Sequence, residues 1–217
     1  MSVRPSIAVI DYGMGNRRSV EKALQCVGAD AFVTRQPAEL QRADGLLLPG
    51  VGAFPAAMEV IERLGLDALL RECAQAGMPL FGSCMGMQLL FEGSEEHGGA
   101  AGLGLLPGVV RRLDAQGQKL PHIGWSEVMR VRDSPIWRDL PPRIYLYHVH
   151  SYVPHAADPD TVIATAQYGE TFAAVVGQGN VYGAQSHPEK SSAHGLRLLA
   201  NFVSICAERS GAHAAAA

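Results

Sequence analysis

Residues 78–91 read MPLFGSCMGMQLLF, a short apolar run that stops at Cys84 and restarts as a helix-like pattern. Within it, Gly82, Ser83, Cys84, Met85 and Gly86 spell G-x-C-x-G between a strand and a helix, the pattern of a nucleophile elbow with sulfur in place of a serine oxygen. Glycines on both sides remove side chains that would block a tight strand-to-helix turn. Cys84 is therefore expected to project from the carboxyl edge of a sheet, where ligands of open α/β folds collect. A helix starting at Met85 would aim free N–H groups and its positive dipole end at the sulfur, favouring thiolate and supplying an oxyanion donor. A cysteine without such a setting is most often a small buried hydrophobe, which is the reading for Cys26, Cys73 and Cys206 on helical patterns.

Working outward, SIAVI (6–10), ADAFVT (29–34) and DGLLLPG (44–50) read as strands that alternate with helical patterns, the signature of βα units feeding a parallel sheet. Val20, Ala23, Leu24 and Val27 recur at helical spacing between Asn16 as cap and Gly28 as stop. Only a short polar connection is expected between the second and third strands. Helices are expected over 53–64 and 66–76. Beyond Gly93, the stretches VVRRL, WSEVMRV, RIYLYHV, TVIATAQY, FAAVVG and NVYGAQS follow one another without helices, so the sheet becomes mixed. A last helix over 192–208 places Leu196, Leu199, Phe202, Val203 and Cys206 on one face. The fold class is thus α/β, an open, mixed, mainly parallel sheet flanked by helices, in one domain over 1–210, with a frayed tail over 211–217.

Composition narrows the function. The 217 residues are 47% hydrophobic and 18% charged, with 18 basic against 21 acidic residues, a net charge of −3, and no basic stretch that would mark a nucleic-acid or membrane partner. The amino-terminal apolar run of four residues is too short for a signal peptide or a membrane span. The four cysteines form no C-x-x-C pair and no His/Cys cluster at metal-ligand spacing, so no metal is expected and a reducing cytoplasm fits.

A cysteine nucleophile that cleaves an amide needs a base that can return a proton to the departing amine. His187 stands two residues before Glu189 in QSHPEK. Residues two apart in an extended segment share a face, and Pro188 keeps the segment from becoming helix, so the carboxylate can orient the imidazole. Alone, H-P-E reads equally well as a surface turn. LLLPGVGAF (46–54) places a Gly-rich loop at a strand end before a helix, able to face an oxyanion or to be an ordinary βα turn. It lacks the G-x-G-x-x-G and G-K-[ST] patterns of phosphate cradles. His97, His155, His194 and His213 read as surface residues. For His122, His148 and His150, in aromatic-rich strands, lining a cleft and satisfying the core both stand open.

In order along the chain, DYGMGN, LPGVGAF, GSCMGMQLLF, PHIGW, VHSY and QSHPEKS, closing with GLRLLANF, resemble the glutaminase subunits of imidazole glycerol phosphate synthases, a family of class I (triad) glutamine amidotransferases. The resemblance spans about Ile7 to Phe202. It implies hydrolysis of L-glutamine through a thioester on Cys84, with His187 as base and acid and Glu189 orienting it. It implies an oxyanion hole at Val51 or Gly52 and at Met85, and substrate contacts at Gly50, Gln88, His150, Ser151 and Tyr152. It implies a heterodimer with a (β/α)8-barrel synthase subunit, met near Asn16, Trp125 and Tyr147, and no cofactor. Five positions depart from the family pattern: Arg17, Ser83, Ser126, His148 and Ser186.

Two alternatives remain at this level. The elbow and H-P-E are shared with amidotransferases of anthranilate, aminodeoxychorismate and pyridoxal phosphate synthesis, although DYGMGN, PHIGW and HPEKS argue against these. A non-catalytic docking subunit would keep the fold but not the activity.

Overall fold

The structure, a computed structural model, describes residues 4–216, with side chains as far as residue 211. Strand β1 (Ser6–Ile10) leads through a turn-rich loop into α1 (Arg17–Cys26), β2 (Asp30–Thr34), α2 (Pro37–Arg42), β3 (Gly45–Gly50), α3 (Phe54–Arg63), α4 (Leu66–Gln75), β4 (Leu80–Cys84) and α5 (Met85–Gln88). Then come β5 (Phe91–Ser94), β6 (Ala100–Ala101), β7 (Leu106–Arg112), β8 (His122–Arg130), β9 (Arg143–His150), β10 (Tyr152–Ala156), β11 (Val162–Tyr168), β12 (Glu170–Gln178), β13 (Val181–Ala184) and the closing helix α6 (Ser192–Ala216).

Nine strands form one sheet in the order β2-β1-β3-β4-β13-β12-β11-β8-β9. The pairs from β2 to β13 are parallel and those from β13 to β9 antiparallel. The parallel strands are apolar at almost every position because helices cover both faces. In β1, Ile7 and Val9 join the core beneath α1 and α6, whereas Ala8 and Ile10 join the core beneath α2, α3 and α4. None of the described helices is long and apolar enough to cross a membrane.

Several expectations are corrected. The link between β2 and β3 holds α2, six residues with Pro37 in its first turn and a single buried residue, Leu40, too short to print a helical period. The helix after Cys84 is one turn only, because MGMQLLF is apolar almost throughout and periodicity cannot locate where a short buried helix yields to strand β5. The segments beyond Gly93 do not all enter one sheet, since β10, β7, β5 and β6 form a second sheet of four strands. Cys26, at the end of α1, is exposed rather than packed. Helix α6 continues past residue 208, where the last helix was expected to end, to Ala216, its alanines offsetting Gly211. Ala217 and the side chain of His213 lie outside the described residues.

Candidate active site

β4 lies between β3 and β13, parallel to both, and Cys84 is its last residue. Its backbone, at φ 56° and ψ −117°, is in a region L-residues rarely adopt, the strain that aims a side chain out of a sharp turn. Both flanking glycines are required by close approach. A Cβ on Gly82 would fall 2.5 Å from the carbonyl oxygen of Gly86. Gly50, in register with Cys84 across the β3–β4 pair, faces the same turn, where a Cβ would meet the Gly86 amide nitrogen at 2.6 Å. Gly50 thus leaves room for the elbow, and it is not among the residues that line the cleft.

His187 reaches the same edge because β13 runs parallel to β4, with Ala184 opposite Ser83, and the chain leaves β13 three residues before the histidine. Its amide donates to the Tyr147 carbonyl at 2.9 Å. Its Nδ1 lies 3.0 Å from Oε1 of Glu189. The segment is not extended as expected: His187 is extended, but Pro188–Lys190 is a 3-10 turn that brings the carboxylate back under the ring. Proline suits the first position of that turn because no N–H is needed there. Burial by itself opposes charge on His187. The neighbouring Cys84 and the hydrogen-bonded Glu189 carboxylate outweigh it and push the ring up to about 10. The pairing favours the protonated ring, with Glu189 almost completely enclosed.

A cleft of about 290 Å³ opens over the sulfur. Of the residues expected there, Val51, Gly52, Met85, Gln88, His150, Ser151 and Tyr152 line it with Cys84 and His187. Gln88 is fixed by its amide, whose Nε2 donates to the Tyr152 carbonyl at 2.8 Å and to Oε1 of the buried Gln185 at 3.1 Å. Trp125 and Tyr147 stand apart from the cleft, paired across β8 and β9 with rings 5.9 Å apart, and Asn16 sits at the head of α1 without a side-chain capping bond.

Two residues were missed. Glu96 lines the cleft, its Oε2 accepting from the Phe54 amide at 2.8 Å; its stretch EGSEEH reads as solvated surface, so no signal pointed to it. Tyr12, buried in the loop after β1, donates its hydroxyl to the Pro49 carbonyl at 2.8 Å and so ties the DYGMGN loop to the start of PGVG. Among the departures, Arg17 pairs with Asp11, which explains its tolerance. Of the histidines left open, His150 lines the cleft, while His122 and His148 are buried. Strand pairing gathers the three, although sequence spacing showed no cluster.

The sequence model of the family described as "Glutamine amidotransferase class-I" matches residues 8–206. The chain is 50% identical to a protein of Bacillus cereus (strain G9842) named "Imidazole glycerol phosphate synthase subunit HisH", over 92% of this chain and 94% of that one. A protein of the same name from Moorella thermoacetica is also 50% identical over the same shares. The structure of PurLQS from Thermotoga maritima shares the fold at a TM-score of 0.74 and 19% identity, covering 94% of this chain and 99% of that one. A glutamine amidotransferase from Thermotoga maritima is similar at a TM-score of 0.68 and 16% identity, covering 95% and 99%. With an elbow cysteine, an imidazole and a carboxylate joined at the sheet edge those folds share, this chain belongs to the class I glutamine amidotransferases.

Proposed function

We propose that this chain hydrolyses L-glutamine as the glutaminase subunit of an imidazole glycerol phosphate synthase and hands the ammonia to a (β/α)8-barrel cyclase subunit, which makes imidazole glycerol phosphate and AICAR in histidine biosynthesis. One observation carries the chemistry: the His187 imidazole, held by Glu189 at 3.0 Å, lines the same cleft as the Cys84 sulfur. Identity of 50% with HisH proteins over nearly the whole chain carries the pathway.

In this reading the Cys84 sulfur attacks the carboxamide carbon, and backbone amides of Val51 or Gly52 and of Met85 receive the oxyanion. The His187 imidazolium gives its proton to the departing nitrogen, so ammonia leaves and a glutamyl thioester remains. Neutral His187 then takes a proton from water as the hydroxyl adds to the thioester carbon, and the thiol leaves with glutamate formed. Gln88 and the segment from His150 to Tyr152 hold the substrate, and the Glu96 carboxylate suits its α-ammonium.

The docking surface is the outer face of β8 and β9. Ile123, Trp125, Met129 and Val131 alternate outward along β8 and its end, 61%, 52%, 43% and 59% exposed, and Tyr145 stands across from them at 53%. A strip of large apolar side chains left uncovered on an edge hairpin suits an obligate partner better than solvent. The chain works as one amidotransferase domain over 1–210, in the cytoplasm.

The test is synthase activity of the reconstituted complex with glutamine or with ammonium as nitrogen donor. Cys84→Ala is expected to abolish the first and spare the second, and the isolated chain to hydrolyse glutamine only slowly until the barrel subunit is added. Glutamine use by Cys84→Ala, or stimulation solely by a chorismate-using synthase, would overturn the reading.

A further inference from the structure

The three histidines behind the cleft form a built cluster that glutamine hydrolysis does not require. His122 opens β8 and pairs directly with His150, the last residue of β9. His148 lies two residues back on the same face, opposite Gly124, which has no side chain to fill the space. The rings are 2%, 0% and 6% exposed and pack against Tyr168 and Phe172. One nitrogen of each lies within 4.8 Å of the other two, and Nδ1 of His148 is 3.2 Å from Nε2 of His150. Two nitrogens on one tetrahedral ion with bonds of about 2.0–2.1 Å stand roughly 3.3 Å apart, so this pair already has ligand spacing.

Nδ1 of His122 has no partner among the described residues, and Nδ1 of His148 and Nε2 of His150 have only each other. Ser126 Oγ lies 2.9 Å from Nε2 of His122 and holds that ring, and in the tautomer that donates from Nε2 to Ser126 the Nδ1 lone pair is free for a ligand. Ser126 and His148 are two of the five positions that depart from the family pattern, and both converge here.

We propose that His122, His148 and His150 bind a zinc-class divalent cation beside the catalytic triad, and that the ion slows glutamine hydrolysis. Imidazole nitrogens suit zinc and its neighbours, three ligands leave a fourth position for water, and His150 also lines the cleft. Ligation requires only that the proton shared between the His148 and His150 rings move to the other nitrogen of its ring. The consequence for catalysis follows from position. The Val149 carbonyl, between two of the ligands, is 3.8 Å from the Cys84 sulfur, whose thiol donates to it. An ion that pins both flanking ligands holds that carbonyl against the thiol and so keeps the proton on the nucleophile.

The experiment is a titration of the chelator-stripped full chain with Zn²⁺ by calorimetry, and with Co²⁺ by absorption, in a Cys84→Ala background that removes the competing thiol. One ion per chain is expected, with tetrahedral cobalt bands. On that background His148→Phe should abolish stoichiometric binding while its circular dichroism stays native. Ser126→Ala should weaken binding by roughly 10- to 100-fold. With Cys84 present, Zn²⁺ should lower glutaminase activity of the complex in the parent and far less in His148→Phe. Absence of binding to Cys84→Ala, undiminished binding in His148→Phe, or equal inhibition of the parent and His148→Phe would overturn the proposal. Should His148→Phe unfold, His122→Gln replaces it with the same expected outcomes.

Discussion

A Cβ placed on Gly86 would collide with the carbonyl oxygen of Leu48, so the first turn after the nucleophile lies directly against the backbone of the neighbouring strand β3. Neither atom can withdraw, because Leu48 is held in the β3–β4 ladder and Gly86 by the elbow. Gly86→Ala is expected to destabilise the fold by about 3 kcal/mol or more, as overpacking against backbone does. Urea unfolding measures this, and a variant within about 0.5 kcal/mol of the parent would show that the turn can open.

The His187–Glu189 pair sets the alkaline limit of the reaction. Burial disfavours the imidazolium, and Cys84 and Glu189 raise it above that handicap to about 10, while His148 and His150 are neutral neighbours. A folded value above the unfolded one contributes stability that is complete below about 6.5 and is lost as pH rises through about 10. Glu189→Gln removes one raising charge. Its alkaline activity limb should move to lower pH, and kcat should fall on the order of 10²- to 10⁴-fold. A pH–rate profile of the complex reads both, and an unmoved limb would dissociate Glu189 from the proton on His187.

Glu96 is expected to act on binding alone. Its carboxylate lies in the cleft and accepts one backbone amide, leaving lone pairs for an ammonium. Glu96→Gln should raise KM for glutamine by about tenfold or more, the cost of one charged hydrogen bond, with a smaller change in kcat. Steady-state kinetics decide, and a fall in kcat at constant KM would assign the carboxylate elsewhere.

Trp125 tests the docking face. It is half exposed and touches the cleft nowhere, so truncation should leave the fold intact. Trp125→Ala should weaken association with the barrel subunit by about 2 kcal/mol, roughly 30-fold in Kd, as loss of a central aromatic anchor does. Sedimentation or calorimetry with both subunits measures it, and an unchanged Kd would move the interface to another surface.

Much of the site was legible where chemistry and backbone geometry constrain neighbouring residues together. Gly82, Cys84 and Gly86 announce the elbow because a tight turn excludes side chains at both flanks, and His187 with Glu189 announces the proton carrier because the two groups are close in sequence. Glu96 stayed hidden because a lining carboxylate in an acidic loop has the same local pattern as a solvated one. Helix α5 was overextended because uniformly apolar residues carry no period, and α2 was missed because six residues carry too little of one.

By itself, the sequence determined the alternation of strands and helices, the nucleophile and its turn, and the family, since each depends on residues adjacent in the chain or on motifs in fixed order. Only tertiary structure decided that His187 meets Cys84, that Gly50 is a spacer while Glu96 lines the cleft, and that His122 joins His148 and His150. Those relationships arise from strand register and sheet order, which bring distant segments within hydrogen-bonding distance through pairings that no local pattern encodes.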